Sequence, residues 1–230
     1  MRGAQLPLAV QLRDTASFDS YFIGPNTEAV AALRELREPI LIYGSAGSGR
    51  THLLQAACRL HGGAYLPLAA LRDIGPAALD GYASPHAVFI DDADCVGMER
   101  TWCWALLRLL DRLRSEGRRF ALAACATPDR LDLAVPDLRT RLAQCAVIGL
   151  RPLDDAQRAE LLRLRARQRG LDLPDEVTRW LLRTWPRDTG SLLAALDILD
   201  RGTLTAKRRL TLPLAQSLLG SASAHKAPDR

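Results

Sequence analysis

The chain has 230 residues, with 31 basic against 26 acidic side chains and 48% apolar residues. That length suits one large domain or a domain with a smaller companion, and no stretch approaches the roughly 20 apolar residues of a membrane span. Only Lys207 and Lys226 are lysines; any cation needed earlier in the chain must be arginine, and a lysine Schiff-base enzyme is excluded there.

The net charge of +5 is local. Residues 201–230 carry Arg201, Lys207, Arg208, Arg209, Lys226 and Arg230 against Asp229 alone, so the preceding chain is neutral. Basic charge is therefore a weak argument for direct nucleic-acid binding. Five cysteines, an odd number without a CxxC pair, read as buried thiols of a reducing cytosol. The apolar stretch near the N-terminus is short and broken by Pro7, unlike a signal peptide.

In chain order, residues 5–12 alternate Leu6, Leu8, Val10 and Leu12. Thr27 is placed to cap a helix over EAVAALREL. PILIYG reads as a buried strand entering a glycine-rich turn, GSAGSGR, and THLLQAACRL as the helix behind it. AYLPLAA is a further possible strand, and AVFIDD is a buried strand ending in carboxylates. A helix from about Thr101 to Arg114 gathers Ala105, Leu106, Leu109, Leu110 and Leu113 on one face. FALAACA and AVIGL complete the strands. Short apolar runs alternating with amphipathic helices predict a parallel α/β sheet covered on both faces. After Pro152 the pattern turns helical: a helix ending at Gly170, one behind Pro174 and GSLLAALDILDRG, with TLPL as the one strand-like run. The tail SASAHKAPDR reads as disordered.

Gly44-Ser-Ala-Gly47-Ser48-Gly49-Arg50-Thr51 fits the P-loop pattern at every position but one, between a strand and a helix where the pattern belongs. Its glycines let backbone N–H groups wrap phosphate oxygens, and the helix N-terminus adds a favourable dipole. Thr51 offers a hydroxyl to Mg²⁺. Arg50 replaces the usual lysine; it keeps the charge but is bulkier and planar. Downstream, Asp91 at the end of VFIDD is placed to hold Mg²⁺ through water, and Asp92 to polarise an attacking water.

These motifs together resemble the AAA+ family of the DnaA type, most closely its short Hda-type homologues, over about Gln5 to Leu219. Phe18-Asp-Ser-Tyr-Phe22-Ile23-Gly24-Pro-Asn26 is similar to the family segment that lines the adenine pocket. Val135-Pro-Asp-Leu-Arg-Thr-Arg141-Leu142 resembles box VII and places Arg141 at the arginine finger. Residues 153–219 resemble the helical lid, notably around Leu164–Arg167 and Leu196–Arg201. The resemblance implies an α/β AAA+ P-loop parallel-sheet core followed by a small all-α lid. It divides the chain into a clamp-binding peptide (1–14), the nucleotide-binding core (15–152), the lid (153–220) and a tail (221–230). Nucleotide contacts are implied at Phe22, Ile23, Gly44, Gly47, Ser48, Gly49, Arg50, Thr51 and His52, with ADP favoured over ATP, and Mg²⁺ at Thr51 and Asp91.

Two positions depart from the family. The sensor 2 arginine falls on Gly190 by register, with Arg187 one turn away, and the sensor 1 region reads Cys125, Ala126, Thr127. With Arg50 they argue against an efficient ATPase in this chain's own site. Gln5, Leu6, Leu8 and Val10 resemble the peptide that docks on the polymerase III sliding clamp, a peptide-in-groove mode; the plain alternative is a terminal strand. No helix-turn-helix is read after the lid, so DNA contact is expected through the clamp.

The implied activity is negative regulation of replication initiation: Arg141 offered in trans promotes hydrolysis of DnaA-bound ATP, with Asp92 as a second catalytic candidate. A homo-oligomer is a further possible partner, no membrane is implied, and the expected location is cytoplasmic, at the nucleoid through the clamp. Two alternatives stand beside this: a self-sufficient ATPase such as a helicase loader, and a non-catalytic adaptor between clamp and partner.

Overall fold

The computed structural model describes residues 16–82, 84–186, 188–206 and 208–224, the last four by backbone alone. Gln5, Leu6, Leu8 and Val10 of the clamp-type peptide lie outside the described residues, as does Arg187. The chain divides into two compact units, Met1–Pro152 and Leu153–Arg230.

The first unit is built on five parallel strands: β1 (Ile40–Tyr43), β2 (Ala64–Pro67), β3 (Ala87–Asp91), β4 (Arg119–Ala124) and β5 (Ala146–Gly149), in spatial order β2-β3-β4-β1-β5. β1 pairs on both sides, Tyr43 standing beside Ala124 of β4 and Gly149 of β5. Every residue of β3, and all of β4 but Arg119, is buried. Strands covered on both faces have no use for a polar side, which is why these segments read as continuous apolar runs.

Helices α1 (Thr27–Glu35) and α2 (Arg50–His61) cover one face through Leu33, Leu53, Leu54 and Ala57, which pack with Ile40, Ile42 and Phe89. The other face carries α3 (Leu68–Leu71), α4 (Arg100–Ser115) and α5 (Pro136–Ala143), whose core includes Leu66, Val88, Ile90, Trp102, Leu106 and Leu138. The predicted apolar face of α4 is buried throughout, and Trp102 is buried with it, while Trp104 is 40% exposed. Trp102 therefore serves as packing. Trp102→Ala is expected to cost about 3–5 kcal/mol of unfolding free energy in urea titration, and Trp104→Ala under about 1 kcal/mol.

The second unit is helical: α6 (Asp155–Gln168), α7 (Asp175–Thr184), α8 (Thr189–Ala206) and α9 (Leu212–Ala224). Asp154 caps α6 by accepting from the Gln157 N–H at 2.8 Å, and the Gln157 side chain returns the bond. Leu162, Val177, Leu181, Leu196 and Leu199 form a separate core. Arg163 pairs with Asp175 and Arg169 with Asp197, so these arginines are surface partners.

Three expectations are corrected. Asn26, not Thr27, stands at the N-cap of α1, with no side-chain capping bond, because its amide is used elsewhere. The TLPL run opens α9 rather than a strand, and α9 continues to Ala224, four residues into the segment read as tail. Cys58, Cys103 and Cys145 are buried as expected, but Cys125 is exposed and Cys95 is intermediate.

Candidate functional site

The site lies at the carboxyl ends of β1, β3 and β4, where the order of a parallel sheet reverses and its connections diverge to open a crevice. Strand β1 ends at Tyr43 and the chain enters the glycine loop. Gly47 (φ 77°) and Gly49 (φ 96°) take the left-handed conformation that L side chains disfavour, and Gly49 caps α2. A Cβ on Gly44 would meet Ser48 Oγ at 2.7 Å; one on Gly49 would meet Tyr21 Cε2 at 2.7 Å. The loop is therefore held tight on both sides. Beside it, a cleft of about 550 Å³ is lined by Tyr43, Gly44, Ser45, Cys125, Thr127 and Arg130, among others.

The segment before α1 braces this loop. The Tyr21 hydroxyl donates to the Ser48 carbonyl at 3.4 Å and accepts from Asn26 Nδ2 at 3.2 Å. Asn26 also donates to the Arg151 carbonyl (3.1 Å) and accepts from the Arg151 N–H (2.8 Å), tying α1 to the end of β5. Burial raises the Tyr21 phenol above its ordinary pKa, so the hydroxyl stays a neutral donor. His52 Nε2 donates to the Ser17 carbonyl at 3.0 Å and stands 3.1 Å from Ser20 Oγ. Thus His52 faces the segment that precedes α1, whereas Phe22 is half-buried and Ile23 exposed. Asn26→Ala leaves the Arg151 backbone unpaired and is expected to lower stability by about 1–3 kcal/mol in urea titration.

At the end of β3, Asp91 is 1% exposed. Its Oδ2 accepts from the Tyr65 hydroxyl at 2.7 Å and its Oδ1 from the Asp92 N–H at 3.0 Å. Burial first, then the Asp91 charge, raises the Tyr65 phenol, so it too remains a donor. Asp92 adopts a left-handed backbone (φ 54°, ψ 43°), a strained conformation for a residue with a Cβ. Its carboxyl is raised above the usual aspartate range by burial, then by Asp91; Arg50 opposes this and Asp94 adds to it.

Asp94 carries weight that its sequence position did not suggest. It follows β3 in the turn Ala93–Val96. Its Oδ1 accepts from the Cys125 N–H at 2.8 Å, and Arg50 Nη1 lies 3.7 Å from the same oxygen. The carboxylate thus joins the ends of β3 and β4 to the first residue of α2. Burial, then the bond to Asp94, raises the Cys125 thiol.

Arg141 stands apart, on α5. Its Nε lies 2.5 Å from Asp111 Oδ1 of α4, and its Nη1 donates to Gln144 Oε1 at 3.0 Å. Gln144 Oε1 also accepts from Arg114. In the second unit, Gly190 sits in the first turn of α8.

Residues 155–219 match the Hda lid domain family. The chain is similar to domain III of the Thermotoga maritima replication initiation protein DnaA, with TM-score 0.80 and 22% identity over 92% of this chain and 98% of that one. It is also similar to AMPPCP-bound DnaA from Aquifex aeolicus, with TM-score 0.69 and 21% identity over 82% of this chain and 66% of that one. The Thermotoga maritima RuvB Holliday junction branch migration motor is more distant in sequence, with TM-score 0.66 and 15% identity over 90% and 72%.

The chain carries an Hda-type lid over residues 155–219 and shares the fold of DnaA domain III. In this fold the glycine loop and the carboxylate pair follow strands β1 and β3, which β4 separates. The residues present fit a phosphate ligand. Ser48 Oγ and Arg50 Nη1 are buried polar atoms without a hydrogen-bond partner, and groups so placed are costly unless something satisfies them. Among the described residues no group of three or more His, Cys, Asp or Glu forms a metal cage.

Proposed function

We propose that this AAA+ protein is a regulator that switches off the ATP-bound replication initiator. The observation that carries the reading is the pairing of an Hda-type lid with a P-loop whose buried polar atoms await an anion. In this reading the Gly44–Thr51 loop holds a nucleotide, ADP in preference to ATP, as a structural ligand. Ser48 and Arg50 meet its phosphates. Thr51 and Asp91 hold Mg²⁺, which would supply charge neutralisation between the phosphates. Tyr21, fixed by Asn26, keeps the loop in its binding conformation, and Tyr65 orients Asp91. Phe22, Ile23 and His52 bound the nucleotide on the α1 side.

The peptide Gln5, Leu6, Leu8 and Val10 docks on the sliding clamp, its glutamine hydrogen-bonding while its apolar side chains fill pockets. Arg141 is then offered in trans to the phosphates of DnaA-bound ATP. Turnover belongs to DnaA, and Asp92 would polarise an attacking water only in this chain's own site.

One observation favours a second reading. Arg141 is engaged with Asp111 and Gln144 of its own chain, which a brace between α4 and α5 would also explain. Under that reading the chain is an adaptor bridging clamp and partner. An assay of DnaA–ATP hydrolysis on clamp-loaded DNA separates the two. Gln5→Ala/Leu6→Ala is expected to abolish stimulation under either reading, by on the order of 100-fold at limiting protein. Arg141→Ala abolishes it only if Arg141 is the finger. Steady ATP turnover by the purified chain alone, lost in Asp92→Asn, would overturn both in favour of a self-sufficient ATPase.

A further inference from the structure

The P-loop cation of this chain already has a counter-charge. Arg50 is the first residue of α2, with its side chain 14% exposed. Its Nη1 stands 3.7 Å from Asp94 Oδ1, close enough to feel the charge and too far for a hydrogen bond. The same nitrogen is buried and bonded to nothing else among the described residues. Asp94 cannot readily swing away, because the Cys125 N–H holds that oxygen at 2.8 Å. The carboxylate is therefore fixed by backbone from β4 and faces the P-loop guanidinium.

We propose that Asp94 is the built-in counter-ion of Arg50 and limits the negative charge the P-loop accepts, favouring a diphosphate over a triphosphate. The inference rests on the nucleotide reading above and names the residue that sets its specificity. Phosphate oxygens drawn to Arg50 must share it with the Asp94 carboxylate, which the Cys125 N–H holds in place. Asp92 lies within electrostatic reach of the same guanidinium and adds a second acidic group to the site. Repulsion between like charges a few ångströms apart in a part-buried site grows with each charge on the ligand. A triphosphate carries more charge than a diphosphate and is penalised more. Asp94 touches neither a ligand nor reacting atoms in this account. It is a positioning residue that acts through Arg50.

The plain alternative is that Asp94 only staples the Cys125 backbone. Asp94→Asn separates the two, since the amide oxygen still accepts that N–H while the charge is gone. Calorimetric titration of the full chain with ADP and with ATP, both with Mg²⁺, gives the reading. Wild type is expected to prefer ADP by on the order of tenfold, and Asp94→Asn to gain most of that factor for ATP and little for ADP. Asp94→Glu, which keeps the charge, should keep the preference. Asp94→Ser removes the charge by a second route should the asparagine variant fail to fold.

In the ligand-free protein, Asp94→Asn should also speed alkylation of Cys125, followed by mass spectrometry, because one cause of its raised thiol pKa is removed. Binding of both nucleotides at a ratio unchanged by Asp94→Asn and Asp94→Ser would overturn the counter-ion role and leave the nucleotide site standing. A wild-type chain that binds neither nucleotide would overturn the site itself, and the inference with it.

Discussion

Arg141→Ala is expected to lower stimulation of DnaA-bound ATP hydrolysis by on the order of 10³-fold or more on clamp-loaded DNA. An arginine beside a transferring phosphoryl group neutralises charge that develops on its equatorial oxygens, and a truncated side chain cannot. The resting geometry bears on this directly. Arg141 is held by Asp111 and Gln144, with its side chain 33% exposed. An ion pair so open to water is worth at most about 1 kcal/mol. A factor of 10³ corresponds to about 4 kcal/mol, so leaving Asp111 costs little beside what a phosphate partner would return. Asp111→Asn should therefore keep stimulation at or slightly above wild type, since it frees the guanidinium. Arg141→Lys should recover only part of the effect, because lysine lacks the planar fork. If Arg141 is a brace between α4 and α5, the pattern inverts: Arg141→Ala and Asp111→Asn both lower the melting temperature, and neither changes the hydrolysis rate.

The parts of this site that were legible in the sequence are those whose physics is local. A strand entering GSAGSGR and a helix leaving it can be read from eight residues, because the glycines are there for backbone conformation. VFIDD is legible for a similar reason: an apolar strand that runs into two carboxylates is at its end, and Asp91 is the last residue of β3. What was not legible depends on separation along the chain. Asn26 looks like an ordinary residue before a helix, yet its side chain is committed to Arg151, 125 positions away. That commitment is why it makes no capping bond to α1. Tyr65 and Asp91, 26 positions apart, meet because β2 and β3 are paired with Pro67 beside Asp91. Asp94 lies two residues past VFIDD, and its link to Arg50 spans 44 positions that no local spacing marks. A signal was nevertheless present. A chain without lysine before Lys207 must place arginine in its P-loop, and a half-buried arginine calls for a nearby carboxylate.

Gly49→Val is expected to weaken nucleotide binding by on the order of 100-fold or more, measured calorimetrically with ADP, a loss of about 2.7 kcal/mol. Two independent costs act at this position. At φ 96° a branched side chain is strained, which alone amounts to about 1–3 kcal/mol. The new Cβ would also meet Tyr21 Cε2 at 2.7 Å. The ring cannot turn aside freely, because its hydroxyl is bonded to Asn26 and to the Ser48 carbonyl. The loop must then shift, and with it the backbone N–H groups that would cradle phosphate. Gly117→Ala is the matched control, since Gly117 also has a positive φ of 63° but meets nothing within 4 Å. It should cost about 1 kcal/mol of stability and leave binding unchanged. The two costs at Gly49 can be separated by pairing Gly49→Val with Tyr21→Ala. Tyr21→Ala alone loses affinity because the brace is gone, but it also removes the ring that Gly49→Val would strike, so the double variant should lose less than the sum of the two single losses. Purely additive losses would mean that the Tyr21 ring is not what a side chain at position 49 displaces, and Tyr21→Ala binding as tightly as wild type would overturn the bracing role.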